Sequence, residues 1–239
     1  MEVSGVCVSY GAVKALINVS FRAACGSSVA LIGPNGAGKS TLIKAIARLV
    51  HVQLGAVKWN GKPLTGHTRE IAYLPQRGEV DWNFPLTVRG MVEMGRYALL
   101  GWWRPFGKED HKKVDQALET MHIRDLEKRQ ISALSGGQQQ RAFIARALAQ
   151  EPHVLLLDEP FTGLDLPAQQ LLARLFGELS HQGRLLIASH HDLETVQAIF
   201  DEVILLNRSC IAYGPVNPIF TEENLAKTYE ERRRVKSEE

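Results

Sequence analysis

Three cysteines, Cys7, Cys25 and Cys210, are all that the 239 residues contain, scattered, odd in number and without C-x-x-C spacing. That scarcity excludes a disulfide framework and points to free thiols in a reducing compartment. Charge of one sign is also lacking. The 28 basic residues against 26 acidic ones leave a formal net charge of +2, too little to argue for nucleic acid or a membrane surface. No run approaches the roughly 18 consecutive apolar residues of a membrane span. The opening Met-Glu-Val-Ser-Gly lacks the basic stretch and apolar run of an export signal. Any membrane connection is therefore expected to pass through a partner. There is no internal repeat, no low-complexity segment and no Gly/Ser linker. The eight histidines show no metal-ligand spacing apart from the adjacent pair His190-His191, and neighbours on a strand point to opposite faces.

What is present suffices for a full core: 45% of the residues are hydrophobic, and the length allows one or two domains. Residues 3–32 alternate in a strand-like way and end in the apolar run Val29-Ala30-Leu31-Ile32, a buried strand. Leu42, Ile43, Ile46 and Leu49 follow at helical spacing. Asn60-Gly61, between Val57-Lys58-Trp59 and Lys62-Pro63-Leu64, predicts a hairpin. From about 87 to 150 the pattern is helical and rich in charge. The runs 154–157, 185–188 and 203–206 read as buried parallel strands, separated by helical stretches such as 168–179. The pattern predicts an α/β core with a helical insertion. The tail Glu230-Glu231-Arg232-Arg233-Arg234 mixes both signs and reads as a solvated end.

Gly33-Pro34-Asn35-Gly36-Ala37-Gly38-Lys39-Ser40-Thr41 fits G-x-x-x-x-G-K-[ST] directly after a predicted strand and before a predicted helix. Glycines let successive backbone N–H groups turn inward toward phosphate oxygens, and the helix adds its positive N-terminal end. Lys39 supplies a mobile charge for the β- and γ-phosphates of ATP, and Ser40 a hydroxyl for Mg²⁺. Hydrolysis also needs a carboxylate for the metal, and Asp158 ends the apolar run 154–157 where such a group belongs. Glu159, one residue on, can reach a water in line with the γ-phosphate. It is the expected base, a role worth about 10²–10⁴-fold in rate.

Leu134-Ser135-Gly136-Gly137-Gln138 precedes a helix expected from Arg141 to Gln150, so Ser135 and the two glycines, Gly136 and Gly137, are expected to form a second anion site at a helix start. With the loop at Gly33 and the Asp158-Glu159 pair in this order, the chain resembles the ABC-transporter ATPase family over essentially its whole length. The resemblance implies one ABC ATPase domain over residues 1–239. Its architecture would be a P-loop NTPase core with an N-terminal antiparallel β subdomain and an inserted helical subdomain at about 87–150. It also implies roles. Tyr10 would stack on adenine, and Gln76, in Tyr73-Leu74-Pro75-Gln76, would touch Mg²⁺ and report to the transporter. Phe161-Thr162-Gly163-Leu164-Asp165 resembles the loop that crosses a dimer, although Ser-Ala is commoner than Thr-Gly at its start. His191, directly before Asp192-Leu193, matches the histidine that contacts the γ-phosphate. His190 then takes a position usually held by a small hydroxyl residue. Two copies would pack head to tail, so that ATP on the Gly33 loop of one meets Ser135 and Gly137 of the other.

A lone cassette suggests separate integral membrane permease subunits, with the chain peripheral on the cytoplasmic face of the cell (inner) membrane. The stretch Pro75-Gln76-Arg77-Gly78-Glu79-Val80-Asp81-Trp82-Asn83-Phe84-Pro85, followed by Met94-Gly95-Arg96-Tyr97 and Leu100-Gly101-Trp102-Trp103, resembles ATPases of manganese, zinc and iron importers. Phe220-Thr221-Glu222-Glu223-Asn224-Leu225 fits the same group. Manganese leads as cargo, zinc or iron next, delivered by an extracytoplasmic metal-binding protein. Some of Phe84, Leu86, Val88, Met91, Tyr97, Trp102 and Trp103 are expected to line a groove for a permease helix, the rest being core. The alternatives are a soluble ABC ATPase without a transport role, or a regulatory module without turnover. Neither tandem cassettes nor coiled coils support the first, and intact Lys39, Asp158, Glu159 and His191 argue against the second.

Overall fold

The computed structural model describes residues 1–64, 69–100 and 104–235. β1 (Glu2–Tyr10) and β2 (Val13–Arg22) form an antiparallel pair, and β3 (Ser28–Ile32) leads through the loop 33–38 into α1 (Lys39–Ile46). β4 (Leu54–Trp59) and β5 (Lys62–Pro63) make the hairpin expected at Asn60-Gly61, whose φ angles of 48° and 75° suit a tight I′ turn. β6 (Ile71–Leu74) precedes the helices α2 (Val88–Leu100), α3 (Lys108–Thr120) and α4 (Gly136–Ala149). The chain then alternates through β7 (Val154–Leu157), α5 (Leu166–His181), β8 (Leu185–Ser189), α6 (Val196–Ile199) and β9 (Glu202–Asn207). β10 (Ser209–Pro215) folds back on β9, and α7 (Val216–Ile219) and α8 (Glu222–Val235) follow.

The strands sort into two sheets, an antiparallel one in the order β2-β1-β4-β5 and a larger one in the order β10-β9-β3-β8-β7-β6. In the larger sheet every neighbouring pair from β9 to β6 is parallel, with Ala30 opposite Val203 and Ala188, Leu156 opposite Ile187, and Tyr73 opposite Leu156. Every residue of β3, β7 and β8 is buried, which is why these segments are apolar runs and not alternating ones. Side chains of successive residues still point to opposite faces. Ala30, Ile32, Leu155, Leu157, Leu186 and Ala188 pack on the face covered by the helical insertion and α5. Val29, Leu31, Val154, Leu156, Leu185 and Ile187 pack on the other, against α1 and the antiparallel sheet. Each fully buried valine, leucine or isoleucine among them contributes about 1.5–3 kcal/mol.

Within the inserted helices, α2 and α4 approach so closely that a Cβ on Gly95 would lie 2.2 Å from the Arg146 carbonyl oxygen. Buried Arg96 locks the block. Its guanidinium donates to Asp110 at 3.0 Å, and to the Ala149 carbonyl and Glu151 at 2.9 Å each. Removing one partner of such a pair typically costs about 3–5 kcal/mol, because it strands a buried charge.

Two expectations are corrected by these placements, the start of α4 and the reach of α1, and the groove set is divided. Helix α4 begins at Gly136 and not at Arg141, because Ser135 caps it. Leu49 lies off α1 and is 47% exposed: Arg48, in the left-handed region at φ 62°, ends the turn before it. Val88 and Met91 are core residues, leaving Phe84 and Tyr97 as exposed members of the proposed groove set. Trp102, Trp103 and the side chains from Glu230 onward lie outside the described residues.

Candidate functional site

Parallel pairing sends the carboxyl ends of β3, β8, β7 and β6 to one edge of the sheet. At that edge the chain places the loop 33–38, then His190 and His191, then Asp158 and Glu159, then Gln76. The crevice outside such strand ends is where ligands of α/β sheets bind.

The loop glycines have different reasons to be glycine. A Cβ on Gly33 would sit 2.0 Å from the Leu206 carbonyl oxygen, so this residue lets the loop leave the sheet against β9. Gly36 and Gly38 have φ of 81° and 94°, which bends the loop into its curl. Gly33, Pro34 and Ala37 are buried, whereas Asn35 and Gly36 are exposed and Gly38, Lys39, Ser40 and Thr41 half-buried. Lys39 Nζ donates to the Gly33 carbonyl at 2.7 Å and the Pro34 carbonyl at 3.1 Å. Its pKa is lowered from the ordinary lysine value by burial, an effect that Glu159 and Asp158 oppose.

Asp158 is 1% exposed, and its Oδ1 accepts from Ser189 Oγ at 2.7 Å. Ser189 Oγ also accepts the Glu159 N–H at 2.7 Å, so one hydroxyl on β8 aligns both acids. Glu159 itself is in the left-handed region at φ 51°, a strained conformation for a non-glycine residue. Its Oε1 accepts from Gln76 Nε2 at 2.9 Å and its Oε2 from Thr162 Oγ1 at 3.3 Å. Asp158 Oδ2 is buried without a hydrogen-bond partner. A buried carboxylate oxygen left in that state is costly, and a bound cation would satisfy it. The donor set Asp158, Ser40 and Gln76, all oxygen, suits a hard ion such as Mg²⁺.

Tyr10, Asn35, Gly36, Gly38, Lys39, Ser40, Thr41, Gln76 and Glu159 line a single cavity of about 320 Å³, joined by Val13, Lys14, Ala15 and Arg208. A larger cleft of about 410 Å³ over α3, α4 and α5 holds none of the predicted site residues, and its walls carry both charges without a phosphate-binding loop.

His190 and His191 separate by environment. His190 is 4% exposed, its Nε2 lies 2.7 Å from Thr195 Oγ1, and its ring packs against Phe161 and Phe200. Burial, reinforced by neighbouring His191, pushes its pKa down to about 4. His191 is exposed beyond the end of β8.

Ser135, Gly136, Gly137 and Gln138 do not line the cavity. Ser135 caps α4 by accepting the Gln138 N–H at 3.4 Å, while Gln138 Oε1 accepts the Ser135 N–H at 2.9 Å. Asp165 caps α5 in the same way, accepting from Ala168 N–H at 3.0 Å. Arg77 joins the Gln76 loop to α4: its guanidinium donates to Gln139 Oε1 at 2.8 Å, where a Cβ on Gly136 would meet Nη1 at 2.5 Å. Nothing local in the sequence singles out Ser189, Arg77 or Arg208, because their partners arrive from distant strands and helices.

The family model described as ABC transporter matches residues 16–162. The manganese transport system ATP-binding protein MntB of Halalkalibacterium halodurans is 44% identical over 230 residues, covering 96% of this chain and 92% of the relative. The zinc transport system ATP-binding protein TroB of Treponema pallidum is 44% identical over 229 residues, covering 96% and 86%. Among solved structures, an inward-facing conformation of a putative metal-chelate type ABC transporter superposes with a TM-score of 0.82 at 29% identity, covering 95% of this chain and 87% of that one. The phosphate loop, the acids at the strand ends and the capped helix at Ser135 thus sit in a fold and a sequence of one lineage: the chain belongs to the ABC transporter family, as an ATP-hydrolysing subunit.

Proposed function

We propose that this chain hydrolyses ATP to power uptake of a divalent transition metal, manganese foremost and zinc or iron next, through separate membrane permease subunits. The observation that carries the enzymatic part is the cavity in which the phosphate loop, Gln76 and Glu159 converge. ATP lies with its phosphates on residues 33–41 and its adenine against exposed Tyr10. Lys39 leaves its two loop carbonyls to take phosphate oxygens, and the helix start of α1 adds its partial charge. Asp158, Ser40 and Gln76 would hold Mg²⁺, which would supply neutralisation of the phosphate charge. Glu159 positions the attacking water and accepts its proton, and His191 contacts the γ-phosphate.

The second anion site lies away from the cavity in the same chain, which favours completion by a second copy. In that head-to-tail dimer, residues 135–138 of one protomer meet ATP on the loop of the other, with the Asp165 loop between them. A helix start facing a triphosphate in a water-poor interface gains strongly over the same contact in water.

The cargo reading rests on similarity to relatives whose names specify manganese or zinc transport. Among the described residues no helix is long and apolar enough to cross a membrane. In this reading the permease is a separate chain, with this subunit peripheral on the cytoplasmic side and an extracytoplasmic protein supplying the ion. Phe84, Met94 and Tyr97 are exposed apolar residues near the Gln76 loop and on α2, and they are the surface offered to the permease. The deciding experiment purifies the chain with its native membrane partners and asks which divalent ion, with the binding protein, stimulates ATP hydrolysis. Stimulation by manganese over zinc and iron is expected; none by any of the three would reject metal import.

A further inference from the structure

The turn between β9 and β10 holds Arg208 at φ 59°, in the left-handed region, between the paired residues Asn207 and Ser209. Glycine takes that conformation freely and asparagine tolerates it, but an arginine Cβ crowds its own backbone there. The residue is pinned from two sides. Its N–H donates to the Ala37 carbonyl in the phosphate loop at 2.8 Å, and its carbonyl accepts from Ile17 N–H on β2 at 2.7 Å. Any amino acid can make those backbone bonds, glycine with less strain, so they do not account for an arginine.

The side chain does. The residue is exposed and is among those lining the same cavity as Lys39, Gln76 and Glu159, and among the described residues its guanidinium has no hydrogen-bond or ion-pair partner. A strained backbone that holds an unpaired cation over an anion-binding loop is the kind of outlier from which function is inferred. Lys14 lines the cavity too, but from a strand where its backbone is unstrained, so it makes no comparable case.

We propose that Arg208 is a nucleotide-contact residue whose guanidinium takes phosphate oxygens of the nucleoside di- or triphosphate held on residues 33–41. The planar fork of N–H donors matches phosphate geometry, and the mouth of the cavity gains a fixed positive charge that draws the anion in. This rests on the reading of the cavity as the ATP site.

The test measures dissociation constants of ATP, ADP and adenosine for the full chain by calorimetry, in the parent, Arg208→Gly, Arg208→Asn, Arg208→Lys and Lys39→Ala. Glycine and asparagine suit the turn, so both variants keep the fold, which circular dichroism and thermal melting verify. ATP and ADP are expected to bind about five- to tenfold more weakly to Arg208→Gly and Arg208→Asn, the loss of a charge-assisted contact at a partly wet site. Adenosine binding holds, and Arg208→Lys falls between. Parent-like ATP and ADP affinity in both folded variants overturns the assignment, as does an equal loss for adenosine, which would place Arg208 away from the phosphates. If Lys39→Ala alone weakens ATP binding, only the Arg208 inference fails. If Lys39→Ala also binds normally, the cavity reading fails with it.

Discussion

Gln76 Nε2 donates a 2.9 Å hydrogen bond to Glu159 Oε1, joining the loop after β6 to the residue after β7 across adjacent strands of the sheet. Thr162 occupies the other carboxylate oxygen at 3.3 Å. Both contacts occupy lone pairs that a water would use. Glu159 is thus engaged at both oxygens, by the loop after β6 and by the loop after β7.

Glu159→Gln keeps the size and hydrogen-bonding capacity of the side chain while removing its basicity. ATP turnover is expected to fall by about 10²–10⁴-fold with ATP binding retained, and a nucleotide-bound dimer should accumulate. Phosphate-release kinetics and size-exclusion chromatography with ATP check this. Unchanged turnover would reject Glu159 as the base.

Lys39→Ala removes the ammonium that now bridges the Gly33 and Pro34 carbonyls and is available to phosphate. ATP affinity is expected to drop by roughly 10- to 100-fold, with turnover lost as well, since the contact serves bound substrate and transition state alike. Equilibrium titration with ATP decides it, and a parent-like affinity contradicts the phosphate role.

Two glycine substitutions should separate a rigid close contact from a yielding one. Gly33→Ala drives a methyl to 2.0 Å from the Leu206 carbonyl, backbone inside the sheet, where nothing can yield. A stability loss of about 1–3 kcal/mol or more is expected in chemical denaturation. Gly136→Ala meets only the end of the Arg77 side chain at 2.5 Å, which can swing away. Its cost should be small, with the loss confined to the Arg77–Gln139 contact. Equal destabilisation by both would contradict the packing described.

His190 makes stability depend on pH. Its folded pKa is depressed to about 4 from an ordinary value near 6.5, so the unfolded chain binds the proton first as pH falls. Its contribution is fully present above about 6.5 and is lost on acidification toward 4. His190→Phe, which keeps an aromatic ring beside Phe161 and Phe200, should flatten the melting temperature over that window relative to the parent. Parallel pH profiles for the two proteins would show that another group governs the acid side.

The parts of the site legible in the sequence are those built from neighbouring residues. The curl from Gly33 to Thr41 lies between an apolar run and a helical pattern, and Asp158 and Glu159 end a second apolar run. Local sterics and strand burial dictate both, so contiguous residues suffice. At Ser135 the signal was half visible. The S-x-x-Q capping box is there, but two glycines of poor helix propensity follow it and hide a helix that starts five residues earlier than expected. In the groove set, apolar spacing could not tell Val88 and Met91, which face the core, from Phe84 and Tyr97, which do not.

Tertiary structure alone decided which distant groups act together. The strand order β3-β8-β7-β6 brings Ser189 to both acids, Gln76 to Glu159, and one histidine of an adjacent pair into the core while the other stays in water. The return of β10 on β9 sets Arg208 over the phosphate loop. Sheet register and packing choose these pairings over long separations in the chain, and no local periodicity records them. The sequence determined the chemistry of the phosphate loop and its acids; the sheet determined what surrounds them.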